Sequence, residues 1–249
     1  MDENALLKLA LDAGEIMLTS GAETHRVEDT MHHILSVSHN TEAEALAMST
    51  LLIVSLPSEK RGSLTLTRGV HSRSVNFQKI CEVNALSRDF VSGRLCLAQT
   101  VQRIEEIRNA PSFSPLLRIF CYGIAAGGFT IVLNGTPSDG LAAFFCGVLI
   151  GIMIILLGQR QTPYFFTSLL GGFLSGVAAS LFHRILPSAG MDMIIVGSIM
   201  PLLPGITMTN AIRDIMEGNF ISGNSKLVEA LLVAFAIAGG VGFGVSLFA

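Results

Sequence analysis

The stretch Met200-Pro201-Leu202-Leu203-Pro204-Gly205 lies in the middle of an apolar run, residues 193–208, that is otherwise typical of a membrane-spanning helix. Each proline removes a backbone N–H donor and clashes with the preceding helical turn, and the glycine adds backbone freedom. In lipid, backbone groups freed in this way need protein or a wet cavity to satisfy them. Interrupted helices are the best sequence-level indication of a transporter's substrate site. The stretch therefore predicts a membrane transport component with a site near the break.

The two halves of the chain differ in charge. Residues 1–118 carry 12 Lys or Arg and 14 Asp or Glu, whereas residues 119–249 carry only 4 and 5. Soluble domains usually contain about a quarter charged residues, so the second half is predicted to lie in a membrane. The formal net charge of −3 argues against a nucleic-acid partner. The predicted fold class is an all-α transmembrane domain of five helices preceded by a small cytoplasmic α+β domain.

Five segments are apolar and long enough, at ~20 residues each, to cross a bilayer. The cytoplasmic domain is predicted to cover residues 1–109, the linker residues 110–115 and the transmembrane domain residues 116–249. The five predicted helices are residues 116–134, 141–159, 165–182, 192–210 and 227–248. The fourth helix contains the two prolines, so it is expected to be broken.

Basic residues near the ends of the spans predict the orientation in the membrane. One side of the membrane carries the amino-terminal domain and most of the basic residues near the span ends, namely Arg103, Arg108, Arg118, Arg160, Arg213 and Lys226. The other side receives Asp139, Arg184 and Asp192. The more basic side is expected to be cytoplasmic, which places the amino terminus inside and the carboxyl terminus outside.

Residues 1–109 show a mixed pattern of helices and strands. Helical periodicity predicts helices over residues 4–20, 22–37 and 77–108. Short apolar or alternating runs predict strands near residues 51–54 and 64–66, and a third strand over residues 70–77. Together these elements form an α+β module that is large enough for one core.

Small residues recur at helical spacing in the third and fifth predicted spans. Gly172-x3-Gly176-x3-Ser180 places three of them on one helix face. The fifth span contributes Gly239, Gly240, Gly242 and Gly244. Small residues allow helix backbones to approach closely in lipid. Tight helix packing is the favoured interpretation, and a sliding or cavity-lining surface is the alternative.

Three motifs resemble the threonine/serine exporter family. They are the Gly-Ala-Glu-Thr-His-Arg-Val-Glu run of residues 21–28, the Pro-Leu-Leu-Pro-Gly break of residues 201–205, and Asn210-x2-Arg213-Asp214-x3-Gly218. The resemblance extends over essentially the whole chain. It implies an exporter of small hydrophilic metabolites in the cytoplasmic (inner) membrane. The family's substrates include threonine and serine, and two-subunit relatives are linked to succinate export.

The resemblance also bears on partners. Single-chain members of the family carry further spans after the five, so this chain is similar to the larger subunit of a split, two-component exporter. A small integral-membrane partner that supplies further spans is therefore implied, and a homo-oligomer is left open. The lipid bilayer surrounds the chain, and no cofactor is expected.

Substrates of this class carry a carboxylate, which needs stabilisation where water is scarce. The amino terminus of a helix offers unpaired N–H groups and partial positive charge. A helix that restarts after the break would point such a terminus at the gap. The predicted substrate-binding residues are Pro201, Pro204, Gly205, Thr207, Asn210 and Arg213. The alternative is a structural proline kink that a neighbouring helix repairs.

Acidic residues near the spans are candidates for ion or proton coupling. These are Asp192, Asp214 and Glu229, with Asp139 as a further acid near a span end. Simple placement at the membrane interface is the alternative for Asp139 and Asp192, and Glu229 is a candidate partner of Arg213 or Lys226. No phosphate-binding loop of the form Gly-x4-Gly-Lys-Ser/Thr occurs in the sequence, so coupling to the proton-motive force is inferred by resemblance.

The first motif also carries charged residues. Glu23, Arg26 and Glu28 are predicted to make gating or domain contacts through salt bridges. His25, Glu28 and His32 share a helix face, with Asp29 and His33 nearby, which is an arrangement that metals favour. No second constellation supports a metal site, so a packing or solvated face is favoured and no metal is predicted.

The chain is therefore interpreted as a transport protein and not as an enzyme. Two alternatives from other functional classes remain at this stage. One is a membrane-tethered, metal-dependent enzyme, and the other is a scaffold subunit of a transport complex. Transport is favoured because a scaffold has no need of a span that is broken by two prolines.

Overall fold

The structure is a computed structural model that describes residues 2–38, 42–58, 62–70, 74–111, 113–158 and 162–248. Arg160 and Gln159 lie outside the described residues, as do Ser112 in the predicted linker and Ala249. The chain forms two compact units. The amino-terminal unit comprises Met1–Pro111 together with Ile206–Val228, and the helical unit comprises Ser112–Gly205 together with Glu229–Ala249.

The amino-terminal unit begins with two helices and a small sheet. Helices α1 (Glu3–Thr19) and α2 (Thr24–Leu35) precede a short 3-10 turn (Ser36–Ser38). Strands β1 (Glu44–Ala47), β2 (Leu51–Ser58) and β3 (Gly62–Gly69) pair antiparallel in the order β1-β2-β3. Helices α3 (Phe77–Val91) and α4 (Leu97–Asn109) complete the part that comes from residues 1–111.

The core of this unit lies between the helices and one face of the sheet. Helix α1 contributes its apolar stripe and β2 contributes alternate residues, as a half-buried strand should. Fully buried side chains include Leu6, Leu9, Met17, Met31, Leu52 and Leu56. The module therefore has the single core that the sequence predicts.

Two details of the predicted module are wrong. The predicted third strand over residues 70–77 does not form in its described part, because Ser74–Asn76 is irregular and Phe77 starts α3, where Asn76 caps the helix. The third strand is instead β1, before β2. The predicted long helix over residues 77–108 is two helices, because Gly93 adopts a left-handed conformation, with φ +76°, between them.

A charge network joins three elements of this unit. Arg68 on β3 pairs with both Asp12 and Glu15 on α1, its Nη1 lying 2.7 Å from Glu15 Oε2. Arg108 on α4 reaches the same aspartate, with Nη2 2.7 Å from Asp12 Oδ1. Burial alone would lower the pKa of Arg68, but the hydrogen bonds to Asp12 and Glu15 raise the pKa overall. The network stabilises the packing of α1 against β3 and α4.

The second half of the chain is almost entirely helical. It contains α5 (Pro115–Val132), α6 (Pro137–Gly158), α7 (Tyr164–Ile185), α8 (Met191–Ile199), a 3-10 turn (Met200–Leu202), α9 (Gly205–Met216) and α10 (Phe220–Ser246). Within the described residues, α5, α6, α7 and α10 are long and apolar enough to cross a membrane. The residues 191–202 and 205–216 would provide a fifth span only as a bent pair. Five spans therefore remains a prediction.

The helix is interrupted where the prolines predict it. Helix α8 ends at Ile199, and after the 3-10 turn Leu203 has an extended ψ of 137° before α9 begins at Gly205. The Gly205 amide donates to the Leu203 carbonyl, 2.8 Å away, which closes a tight turn around Pro204. The missing proline N–H groups therefore coincide with the change of backbone conformation.

Helices α7 and α10 pack through glycines in the helical unit. A Cβ atom on Gly176 would lie 2.6 Å from the Val241 carbonyl oxygen, and one on Gly172 would meet the backbone of Ile237 even more closely. The relationship is reciprocal, since Gly240 and Gly244 of α10 abut backbone carbonyls of α7. The glycines thus allow direct backbone contact between the helices, as tight packing requires.

Candidate functional site

Three helical segments of the amino-terminal unit bring Thr24, Asp214 and Lys226 together, and we call these residues the Asp214 cluster. Thr24 is the first residue of α2, Asp214 lies near the end of α9, and Lys226 lies in the first turns of α10. The Lys226 ammonium is 2.7 Å from Asp214 Oδ2 and donates to Thr24 Oγ1 at 2.9 Å. Thr24 Oγ1 donates in turn to Asp214 Oδ2 at 2.8 Å.

The second oxygen of Asp214 caps helix α2. Thr24 N–H donates to Asp214 Oδ1 at 3.2 Å. The residue that precedes the helix, Glu23, has the extended backbone of an N-cap, but its side chain makes no capping hydrogen bond. Since the first N–H groups of a helix need acceptors and favour negative charge, α9 supplies from 190 residues away what the local sequence does not.

The cluster is closed to solvent. Asp214 is 0% exposed and Lys226 is 5% exposed. Taking both charges out of water is unfavourable, and only close pairing with additional hydrogen bonds compensates for it. Here each charged group has the other as a partner and shares the Thr24 hydroxyl. The arrangement therefore depends on all three side chains being present.

Two further contacts flank the cluster. Arg213, one residue before Asp214, forms a salt bridge with Glu23, one residue before Thr24. The Asn210 side-chain amide donates to the Gly21 carbonyl oxygen at 3.0 Å. The motif of residues 21–28 and the motif that begins at Asn210 are thus in direct contact in the folded unit. The sequence did not predict that they would meet.

The predicted contact residues of the first motif differ in their surroundings. Glu23 makes the salt bridge just described. Arg26 is exposed and makes no ion pair with any residue that the structure describes. Glu28 accepts a hydrogen bond from the Ala47 N–H of β1 at 2.9 Å, and so holds α2 to the sheet. A gating role for the three residues remains a prediction.

The predicted substrate residues fall into two groups. Pro201, Pro204 and Gly205 form the backbone break. Thr207, Asn210 and Arg213 follow along α9, with Thr207 partly buried in the first turn of that helix. Asn210 and Arg213 already have partners in Gly21 and Glu23. Their role in binding substrate remains a prediction.

The predicted coupling acids also differ. Asp192 is exposed in the first turn of α8, Glu229 is partly buried on α10, and Asp214 is fully buried. The two basic residues considered as partners of Glu229 lie beside other carboxylates. Arg213 pairs with Glu23, and Lys226 pairs with Asp214.

A second buried carboxylate lies in the helical unit. Asp139, only 3% exposed, accepts a 2.7 Å hydrogen bond from the Thr136 N–H at the start of α6. Its other oxygen accepts a 2.7 Å bond from the Gly190 N–H at the start of α8. One carboxylate therefore serves the amino termini of two helices, where negative charge is favourable.

This geometry predicts a difference between two acids that the sequence treats alike. Replacing Asp139 by alanine removes the acceptor of the Thr136 and Gly190 N–H groups at two helix amino termini, so we expect the free energy of unfolding to fall by about 1–2 kcal/mol. Replacing the exposed Asp192 by alanine should change it by less than about 0.5 kcal/mol. Thermal unfolding of both purified variants in detergent measures the difference. Equal effects would contradict the capping role of Asp139.

Two of the three histidines of α2, His25 and His32, have ordinary structural partners. His25 Nε2 lies 3.4 Å from Asp29 Oδ2 on the exposed face, and His32 Nε2 accepts a hydrogen bond from the Ala45 N–H at 3.3 Å. In the described part of the chain, no three His, Cys, Asp or Glu side chains are grouped as metal ligands.

Thr24 and Lys226 are the site residues that sequence reasoning missed. The sequence identifies Lys226 as a basic residue at a span end and a candidate partner of Glu229, and Thr24 only as a member of the first motif. The available signal is that Lys226 directly precedes a long apolar run. Helix α10 begins at Phe220, seven residues before the predicted start at residue 227.

Comparison with known proteins identifies the family. The profile of the threonine/serine exporter family, ThrE, matches residues 8–248. The chain is 23% identical over 249 residues to the protein named "Threonine/serine exporter" from Corynebacterium glutamicum, covering 97% of this chain and 51% of that protein. It is 24% identical over 249 residues to "Probable succinate transporter subunit YjjP" from Escherichia coli, covering 96% of this chain and 93% of that protein.

A more distant match is the yeast protein named "Pheromone-regulated membrane protein 10" from Debaryomyces hansenii, 20% identical over 244 residues, covering 93% of this chain and 23% of that protein. No solved structure matches the chain. The chain spans about half the length of the bacterial exporters that it matches. The apolar helices and these matches indicate a multi-pass membrane protein of a transport family. Because the family profile covers nearly all of the sequence, the chain belongs to the threonine/serine exporter family.

Proposed function

We propose that the chain is a component of a secondary exporter that moves small hydrophilic metabolites out of the cytoplasm. The candidate substrates are amino acids of the threonine/serine type or a dicarboxylate such as succinate, all of which carry a carboxylate. The observation that carries the proposal is the helix interruption between α8 and α9, in a chain of the exporter family. Interrupted helices in transporters typically form the substrate site.

The amino terminus of α9 is the proposed anion-binding element. The first turn of a helix presents unpaired N–H groups and partial positive charge. Gly205 opens this helix, and nothing lies within 4 Å of the position of a Cβ atom there, although its own N–H donates to the Leu203 carbonyl. Thr207 adds a hydroxyl, and Asn210 and Arg213 continue along the helix. Carbonyl groups beside Pro201 and Pro204 are proposed to receive a cation or an ammonium group.

The membrane placement follows the sequence argument. We place the chain in the cytoplasmic membrane with its amino terminus inside and its carboxyl terminus outside, because most basic residues precede the first span or lie between spans on that side. We also propose a small integral-membrane partner with further spans. One finding supports this: the relative from Escherichia coli, of which the chain covers 93%, is named a transporter subunit.

Energy coupling is proposed to use the proton-motive force. Of the three candidate acids, Asp214 has the strongest structural support, because it is fully buried and pairs with a buried ammonium. Ionisable groups in such surroundings in membrane proteins commonly serve ion or proton movement. Asp192 and Glu229 remain secondary candidates.

A cell-based assay tests the proposed activity. Cells that express the chain with a candidate small partner are loaded with labelled threonine, serine or succinate, and the label that appears in the medium is followed. We expect faster release of at least one substrate than in cells with the partner alone. Replacing Pro201 and Pro204 together by alanine should remove the increase, because a continuous helix lacks the free backbone groups. If the chain does not change the rate of release of any of these substrates, the proposal is refuted.

The same system separates transport from a scaffold role. Single cysteines replacing Thr207 or Ile212, the latter exposed farther along α9, are labelled with a thiol reagent with and without substrate. If α9 binds substrate, substrate should slow the labelling at position 207 and leave position 212 unchanged. Equal labelling at both positions in an active exporter would assign the binding site to the partner.

A further inference from the structure

The Asp214 carboxylate is surrounded by hydrogen-bond donors. Oδ1 receives the Thr24 N–H at 3.2 Å, and Oδ2 receives both the Thr24 hydroxyl at 2.8 Å and the Lys226 ammonium at 2.7 Å. A carboxylate accepts such bonds through both oxygens, whereas a carboxylic acid carries a proton on one of them. The closed cluster therefore suits only the ionised form of Asp214.

We propose that the Asp214 cluster is a proton-controlled latch between α9 and the start of α2, in which Lys226 and Thr24 are the positioning residues. This inference rests on the proposed exporter function. One proton from water binds to Asp214 Oδ2 and converts the carboxylate to a carboxylic acid. Lys226 keeps its ammonium proton, so the net charge of the cluster changes from 0 to +1. Release of that proton to water restores the ion pair.

A proton that binds to Asp214 in the open state prevents three contacts from re-forming at full strength. The charge attraction to Lys226 disappears, the amino terminus of α2 loses its anion, and the Thr24 hydroxyl loses a charged acceptor. Hydrogen bonds to charged groups are about twice as strong as those between neutral groups. Since the closed cluster is sealed from water, the proton has to bind while the latch is open and leave before it closes. This order links proton binding to a conformational step.

The charged residues next to Thr24 and Asp214 in sequence neutralise each other. Glu23 on α2 and Arg213 on α9 pair with each other, each one residue away from a latch residue. From the β1–β2 turn, the uncharged Ser49 donates its hydroxyl to the Ser222 carbonyl of α10 at 3.2 Å. Among the residues that the structure describes, Lys226 is thus the charged group in contact with Asp214. A proton can therefore remove the charge attraction at this contact only by binding to Asp214.

The test compares two rates in proteoliposomes that contain the chain and its partner. One is net efflux of labelled substrate driven by an imposed pH gradient, and the other is exchange of labelled for unlabelled substrate without a gradient. Asp214→Asn keeps the size and one acceptor oxygen but cannot bind or release the proton. We expect this variant to lose gradient-driven efflux and to retain exchange. Glu217→Gln, which removes an exposed carboxylate beside α9, should retain both rates.

Three results would overturn the latch. Gradient-driven efflux that persists in Asp214→Asn would show that no proton is needed there. Loss of both rates in a folded Asp214→Asn variant would assign Asp214 to structure or substrate binding. A wild-type exporter that ignores the gradient would exclude proton coupling while leaving export intact. Absence of any transport by the wild-type pair would instead refute the proposed function itself.

A milder variant covers the case in which Asp214→Asn does not fold. Thr24→Val keeps the ion pair but removes one hydrogen bond to the charged carboxylate, so the closed, ionised cluster is less stable. The pH of half-maximal efflux should then move upward, whereas Thr24→Ser, which keeps the hydroxyl, should retain the wild-type profile. An unchanged profile in Thr24→Val would overturn the latch.

Discussion

Replacing Lys226 by methionine should lower the free energy of unfolding by about 3–5 kcal/mol, because it leaves the Asp214 carboxylate buried without its counter-charge. Methionine matches the length of the lysine stem, so the packing of α10 changes little. The Thr24 N–H and hydroxyl still reach the carboxylate, but they cannot replace the ammonium at 2.7 Å. Chemical unfolding of the purified protein in detergent measures the loss.

Two further variants control this experiment. Lys8→Met removes a lysine from the exposed side of α1 and should change stability by less than about 0.5 kcal/mol. The double variant Lys226→Met with Asp214→Leu removes both charges, and it should be less destabilised than the sum of the two single variants. It should still remain below wild type, because the α2 amino terminus then lacks its cap. Strict additivity would contradict the coupling of these two residues.

The second large effect concerns the contact between α7 and α10. Gly240→Val should destabilise the helical unit by at least about 3 kcal/mol, the upper end of the usual range for overpacking. A Cβ atom at this position would collide with the Leu169 carbonyl oxygen and the Phe173 nitrogen, which are backbone atoms of a packed helix. They cannot move aside as a flexible side chain could, so the two helices would have to separate.

The neighbouring glycine provides a matched control. Gly239 is next to Gly240 in the same helix, but nothing lies within 4 Å of the position of its Cβ atom. Gly239→Val should therefore leave stability close to that of wild type, since valine is at least as good a helix former as glycine. Both variants are compared by thermal unfolding in the same detergent. Similar losses of stability in the two would contradict the close packing of the helices through Gly240.

The helical part of the fold was readable from the sequence because its signals are local. Long apolar runs predict α5, α6, α7 and α10 to within a few residues at most ends. The interruption was readable for the same reason, since proline and glycine act on the backbone at their own positions. The glycine spacing in α7 likewise indicated a close helix contact, although it did not identify α10 as the partner.

The Asp214 cluster could not be predicted, because its members are far apart in sequence. Thr24 is 190 residues from Asp214 and 202 residues from Lys226. The sequence assigned Ile206–Val228 to the transmembrane domain, whereas the structure groups this segment with residues 1–111. The sequence pattern places Asp214 and Lys226 near span ends and gives no sign that Thr24 lies beside them. Only the folded chain shows that an aspartate on α9 caps α2.

The errors in the amino-terminal module have a different cause. The break between α3 and α4 depends on the left-handed conformation of Gly93, and the apolar stripe continues on both sides of it. Because the apolar residues keep a helical period on both sides of Gly93, the sequence does not indicate the interruption. Strand β1 was missed because its four residues, Glu44–Ala47, are mostly good helix formers. Pairing with β2 overrides that preference.

Efflux from proteoliposomes is the most direct test of the export proposal. The purified chain and its candidate partner are reconstituted together and separately, loaded with labelled threonine, serine or succinate, and followed after dilution. We expect release of at least one of these carboxylate-bearing substrates from vesicles that hold both proteins, above the rate for either protein alone. Release no faster than from protein-free vesicles, for every substrate and with both proteins folded, would contradict an exporter function.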